Sequence, residues 1–137
     1  MIILDTNVLS ELMRPSPSVK VVKWLDQQLS SDLYITAITL AEILYGIARL
    51  PSGKKQSLLL CAATDMFDEE FSGRILSFDA PASVVYAELV SRSDRAGRPC
   101  SMADAQIAAI CVQHDATLVT RNTKDFEMFD LTIINPW

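Results

Sequence analysis

Five short apolar runs recur along the chain with helical patterns between them, and this alternation constrains the fold more than any other feature. The runs are Met1-Ile2-Ile3-Leu4, Leu33-Tyr34-Ile35, Ile75-Leu76-Ser77-Phe78, Thr117-Leu118-Val119 and the stretch from Leu131 to Ile134. Runs of this length suit strands, and connections long enough for helices suit parallel pairing. The order therefore predicts an α/β protein with a central, mostly parallel five-stranded sheet and helices on both faces. Val19, Val21, Val22, Trp24, Leu25 and Leu29 give an amphipathic helix after the Pro15-Ser16-Pro17 turn. A second helix starts at Thr39 and ends near Leu50, before Pro51-Ser52-Gly53, and a third runs from about Lys54 to Phe67. Gly73 marks a turn, Pro81 starts the helix that carries Val84, Val85, Ala87, Leu89 and Val90, and Gly97-Arg98-Pro99 stops it. Ser101 to about His114 is the next helix. The 137 residues are enough for one domain, residues 1–137, that buries about two thirds of its unfolded surface.

The formal charge of −5 argues against nucleic-acid binding through the overall field, but leaves a local site open. Arg14, Lys20, Lys23, Lys54, Lys55, Arg92, Arg95, Arg98, Arg121 and Lys124 are available for a basic rim. Cys61, Cys100 and Cys111 have no metal-type spacing and read as reduced thiols. The first apolar run is broken by Asp5 after four residues, too short for a leader or a membrane span, so a cytoplasmic location is expected.

Asp5, Glu42, Asp104 and Asp125 each sit where a strand runs out or a helix begins. In a parallel sheet those positions share one rim, the edge where ligands collect. Two carboxylates about 5 Å apart at an effective dielectric near 20 repel by roughly 3 kcal/mol, so a cluster of them needs protons or a divalent cation. Oxygen-only donors suit Mg²⁺ or Mn²⁺, ions used with phosphate substrates. No Gly-rich phosphate loop, nucleophile elbow or zinc-type histidine pair is present.

Each acid also has a plainer reading. Thr39 to Glu42 and Ser101 to Asp104 have the spacing of capping boxes, and Asn122 to Asp125 repeats it. Asp5 is different: no helix cap accounts for an acid directly at the end of the first strand, although a turn-forming role for Asp5 or Asn7 stays open. His114 reads as a helix C-terminal residue without catalytic function. Trp24, Phe126, Phe129 and Trp137 read as core or interface groups rather than base-stacking platforms.

Four segments carry a family resemblance: Ile3-Leu4-Asp5-Thr6-Asn7-Val8-Leu9, Ile38 to Gly46, Ala103 to Ala109, and Leu118 to Phe126. In order and approximate spacing they resemble the PIN-domain nucleases and, with Ile134-Asn135-Pro136-Trp137, most of all the VapC/FitB-type toxins of bacterial toxin–antitoxin pairs. The resemblance spans essentially the whole chain. It implies a three-layer α/β/α PIN fold, an Mg²⁺- or Mn²⁺-dependent endoribonuclease, a cognate antitoxin that blocks the site, and a homodimer. Asp5 and Asp104 match the main metal-ligand acids, Glu42 the third acid, and Asn7 and Thr120 polar positions beside the site. Some relatives carry an acid at the position of Asn122 and others at that of Asp125, so the resemblance leaves the fourth acidic role between them. The implied chemistry is hydrolysis of an RNA phosphodiester by metal-activated water, leaving a 5′-phosphate and a 3′-hydroxyl.

Three other readings compete. A phosphatase with an Asp nucleophile after its first strand needs a second acid two residues on, where this chain has Asn7. A phosphoacceptor receiver domain needs an arrangement that Asp79 and Lys124 do not match. A catalytically silent binding module would use its acids only as helix caps, and would gain no stability from Mg²⁺ or Mn²⁺.

Overall fold

Each apolar run contributes a strand in the computed structural model, which describes residues 1–137. The strands are β1 (Ile2–Leu4), β2 (Leu33–Thr36), β3 (Ile75–Leu76), β4 (Thr117–Val119) and β5 (Ile133–Ile134). They form one sheet in the order β3-β2-β1-β4-β5. Every pairing is parallel, with Ile3 opposite both Tyr34 and Leu118, and Val119 opposite Ile134. The helices are α1 (Thr6–Leu12), α2 (Val19–Asp26), α3 (Ala37–Ala48), α4 (Lys54–Asp65), α5 (Ala80–Arg95) and α6 (Met102–Gln113).

Alternation along the strands divides the interior into two cores, because successive side chains point to opposite faces. Ile3 and Leu118 enter one core with α5, α6, Phe126 and Phe129. Leu4, Ile35 and Val119 enter the other with Val8 and Leu9 of α1, Val21 of α2, Ile43 and Ile47 of α3, and Ala63 of α4. Burial on both faces is what a parallel sheet requires, and it produces the three-layer α/β/α arrangement. Helix α6 is apolar nearly all round, with Ala105 and Ile107 to Cys111 fully buried, so it forms an inner element between α5 and the sheet.

Several boundaries differ from the sequence expectation. Helix α3 starts at Ala37, capped by Thr36, whose hydroxyl accepts the Thr39 N–H at 3.1 Å. Thr39 is therefore inside the first turn, and the Thr39–Glu42 capping box does not form. Strand β2 passes into α3 without a loop, and hydrophobic periodicity alone cannot mark such a junction. Helix α1 was not apparent either, being only seven residues long and directly joined to β1. Helix α2 ends at Asp26, before Leu29, and α4 passes at Asp65 into a π-helical turn over Met66–Glu70. Strands β3 and β5 are two residues each, shorter than the apolar runs that contain them.

The chain runs outward from β1 to β2 and β3, then returns to lay β4 on the other side of β1. The reversal places a switch point at the C-terminal ends of β1 and β4, where open α/β sheets bind ligands. Replacing fully buried Leu118 with Ala should cost about 2–5 kcal/mol, seen in urea denaturation as a lower midpoint with an unchanged slope.

Candidate active site

Asp5 follows β1 at the switch point, and its backbone N–H donates to Val119 O at 2.9 Å, extending the β1–β4 ladder by one bond. Its carboxylate is 5% exposed. Oδ1 accepts the Thr6 N–H at 2.8 Å, while Oδ2 accepts the Thr120 hydroxyl at 2.8 Å and the Asn7 amide at 3.2 Å. Asp5 is thus the N-cap of α1. This corrects the expectation that no cap accounts for it, and the cause is the unrecognised helix. Capping occupies one acceptor position, and Asn7 and Thr120 occupy two more of the roughly four a carboxylate has. Burial raises the Asp5 pKa; the Thr120 and Thr6 hydrogen bonds lower it, Glu42 raises it and Asn7 lowers it, leaving it above the ordinary carboxyl value.

Asn7 and Thr120, expected only as neighbours of the site, prove to be its braces. Asn7 Nδ2 also donates to Thr120 Oγ1 at 3.1 Å, and the Arg121 N–H donates to Asn7 Oδ1 at 3.2 Å. Thr120, fully buried, also accepts the Asn122 N–H at 3.0 Å. Thr6, to which no role was given from sequence, donates its hydroxyl to Glu42 Oε1 at 2.7 Å and lies 3.1 Å from the Thr39 hydroxyl. It links the acid of α3 to that at the end of β1.

Asp104 lies in the first turn of α6, where Ser101 caps the helix by accepting the Asp104 N–H at 3.1 Å. Burial raises its carboxyl to about 6; the Ser101 hydroxyl opposes this, and the charges of Asp5, Asp125 and Glu42 add to it. Asp5, Glu42 and Asp104 line one cavity of about 500 Å³ together with Asn7, Asn122 and the basic side chains Arg14 and Arg121. Asp125 is not on that lining. It faces a separate depression with Arg98, Ser101 and Lys124, and Asp104 borders both. The turn Thr123–Asp125 has no side-chain cap from Asn122, so the third capping box is also absent. Of the ten basic residues considered for a rim, only Arg14 and Arg121 reach the main cavity.

Sequence reasoning missed Ser10, Glu11 and Trp137 as lining residues, whereas Arg14 was among those expected for a basic rim. Asn7, Ser10, Glu11 and Arg14 follow helical spacing, a signal that would have required recognising α1. Burial raises the Glu11 carboxyl, but the Ser18 N–H, the Arg14 guanidinium and the Trp137 side chain outweigh it and hold the group below its ordinary value. Arg14 bridges Glu11 at 3.2 Å. Trp137, expected only in a core or interface, packs partly on the second core and partly walls the cavity. Trp24 packs on that core, Phe126 and Phe129 are buried, and His114 is the C-cap of α6.

Whether a hard divalent cation suits these residues can be tested on charge and donor type. Only two ion pairs form, Arg14–Glu11 and Arg98–Glu127, so Asp5, Glu42, Asp104 and Asp125 have no cationic partner. Their donors are all oxygens, as Mg²⁺ and Mn²⁺ prefer. No three His, Cys, Asp or Glu side chains close on one point in this conformation. Mutual repulsion disfavours such closure without a cation, so the residues fit one by chemistry and uncompensated charge. Cys111, beneath the site, is pushed up to about 12 by burial and the Asp5 charge, and remains a protonated thiol.

Comparison with known proteins gives a consistent result. A family model described as the PIN domain matches residues 2–130. Toxin FitB of Neisseria gonorrhoeae is 43% identical over 137 residues, covering 100% of this chain and 99% of that protein. VapC ribonuclease Y4jK of Sinorhizobium fredii is 41% identical, covering 100% and 98%. The structure of FitAB bound to an IR36 DNA fragment superposes with a TM-score of 0.94 at 43% identity, covering 100% of this chain and 96% of the other.

The raised Asp104 value fixes a sign for the pH dependence. Its folded value of about 6 exceeds the unfolded 3.8, so the folded chain binds more protons between these values and loses stability as pH rises through that window. In EDTA, wild type should therefore melt at a lower temperature at pH 7 than at pH 5, and Asp104→Asn should reduce that difference. An identical pH response in the two proteins would contradict the unpaired-acid description.

Proposed function

The chain belongs to the PIN-domain family, and we propose that it is a divalent-metal-dependent endoribonuclease, the toxin of a toxin–antitoxin pair, with residues 1–137 as its one PIN domain. The observation that carries this reading is the set of unpaired carboxylates at the switch point, Asp5, Glu42 and Asp104 on one cavity. Relatives named Toxin FitB and VapC ribonuclease Y4jK, matched over the full chain, support it.

When bound, Mg²⁺ or Mn²⁺ supplies an acidified water and charge neutralisation at the scissile phosphate. The protein's part is positioning. Asp5, with its orientation fixed by three donors, presents its remaining acceptor position as a ligand. Asp104 must be ionised to join it, so metal affinity should fall below about pH 6. Glu42, oriented by Thr6, is the third acid and acts as a ligand or aligns the attacking water. Asn7 and Thr120 fix Asp5, while Arg14 and Arg121 draw the phosphate chain into a cavity that is otherwise acidic. Asn122 borders this cavity and Asp125 the adjoining one, so the fourth acid acts through its charge on Asp104. The silent-module alternative requires acids employed only in capping, whereas Glu42 caps nothing.

An apolar groove lined by Met13, Ile43, Ile47, Leu50 and Leu59 shares Thr6, Arg14 and Glu42 with the acid cavity. An antitoxin segment folding along this groove brings a basic side chain to Asp5 and Asp104, excluding RNA and competing with the cation. A homodimer and a cytoplasmic location belong to the same proposal. No helix is long and apolar enough to cross a membrane.

Asp104→Asn should abolish Mn²⁺-dependent RNA cleavage without lowering stability at neutral pH, since Asn can still serve the helix start and removes the unpaired charge that burial and the neighbouring acids disfavour. Full activity in that variant would remove the site assignment. Asp5→Asn should be equally inactive but less stable by about 1–3 kcal/mol, because the amide leaves one of the three donors without an acceptor. Glu42→Gln should lose a similar or smaller amount of activity, and Asp125→Asn less than Asp5→Asn, compared as initial rates at saturating Mn²⁺. Expression of the chain alone should arrest bacterial growth, relieved by co-expressing a small adjacent gene. Uninterrupted growth with abundant folded protein and no cleavage in Mn²⁺ would favour the silent module.

A further inference from the structure

Trp137 is the one apolar side chain on the lining of the acid cavity, and the proposed chemistry gives it no part. Its position is fixed from several directions. The Trp137 N–H donates to Asn135 Oδ1 at 3.0 Å, and the ring packs partly against the second core. The Arg121 guanidinium lies over the ring, 5.2 Å from its centroid, and Arg121 is solvent-exposed. Arg121 is in turn tied to the acids: its N–H donates to Asn7 Oδ1, and the Asn7 amide donates to Asp5 Oδ2. A stacked Arg–Trp pair is thus held in register with the carboxylate at the end of β1.

With a net charge of −5 and only Arg14 and Arg121 as basic side chains on the cavity, phosphate attraction by the protein is weak, and a contact to the base would add to it. Stacking on an aromatic ring or a guanidinium plane is the sequence-tolerant means of holding an unpaired base. We infer that Arg121 and Trp137 form a stacking lip that holds one unpaired nucleobase at the edge of the acid cavity, with Arg121 also contacting the adjoining phosphate. The inference rests on reading the cavity as a ribonuclease site. It makes single-stranded RNA the bound form, because bases within a duplex have no free face to offer.

Two experiments separate the lip from the nuclease reading. In Trp24→Phe protein Trp137 is the only tryptophan, and titration with a short single-stranded RNA in EDTA should quench its emission; a duplex of the same sequence should quench far less. In Mn²⁺, Trp137→Leu and Arg121→Gln should each raise KM for single-stranded RNA about 10- to 100-fold with kcat within about threefold, and Trp137→Phe should keep most of the wild-type KM. Arg121 is exposed, and Arg121→Lys, which keeps the charge that draws phosphate but removes the planar stacking group, tests the lip even if Trp137→Leu folds poorly: its KM should rise as well. Wild-type cleavage with an unchanged KM in the Arg121 and Trp137 variants overturns the lip and leaves the nuclease intact. Quenching by single strands without cleavage by wild type supports the lip and removes the nuclease. Absence of quenching, or equal quenching by duplex, overturns the lip.

Discussion

The buried Asp5 carboxylate is the group on which the rest of this architecture turns. A charged side chain at 5% exposure is tolerated only with its hydrogen bonds satisfied, and the three donors come from different parts of the chain. Thr6 and Asn7 begin α1, and Thr120 directly follows β4. Meeting the needs of one carboxylate therefore locks the first helix and the fourth strand to the end of the first strand. The same bonds leave the group part of its capacity unused. A wholly satisfied Asp5 would be a structural residue only, and an unsatisfied one would destabilise the centre of the sheet.

The other acids differ in how their charge is handled. Glu42 is steadied by the Thr6 hydroxyl, while Asp104 shares its surroundings with three further carboxyls and is raised to about 6. Arg14 lines the same cavity but pairs with Glu11 and with none of these acids. The excess negative charge is thus left in place while the scaffold around it is well bonded. Repulsion of this kind is what a divalent cation entering the cavity would relieve.

Legibility from sequence followed range of interaction. Strands are short apolar runs, and their alternation with helices was enough to place Asp5 and Asp104 on one rim, because both depend on neighbours close in the chain. Thr39 was misjudged because β2 runs straight into α3, and periodicity changes there without a punctuating residue. Helix α1 has too few residues to declare a period, and with it went Ser10 and Glu11. Trp137 could not be assigned to the cavity, since its neighbours Arg121 and Glu11 come from opposite sides of the sheet's switch point. Asp125 lies at the edge of what local spacing can place. It has suitable local spacing, yet the turn carrying it directs it to an adjoining depression.

The strand order has a consequence for how such a protein is made. Asp5 and Thr120 are 115 positions apart, and β1 lacks one neighbour until β4 has been synthesised. At the usual pace of translation, that interval is roughly 6–23 s. Throughout it the emerging polypeptide carries Asp5 without the Thr120 brace and, for most of it, without Asp104 beside it. The acid site is thus assembled only after β4 and Thr120 have been made, and a chain stopped short of them carries its acids without the geometry that joins them.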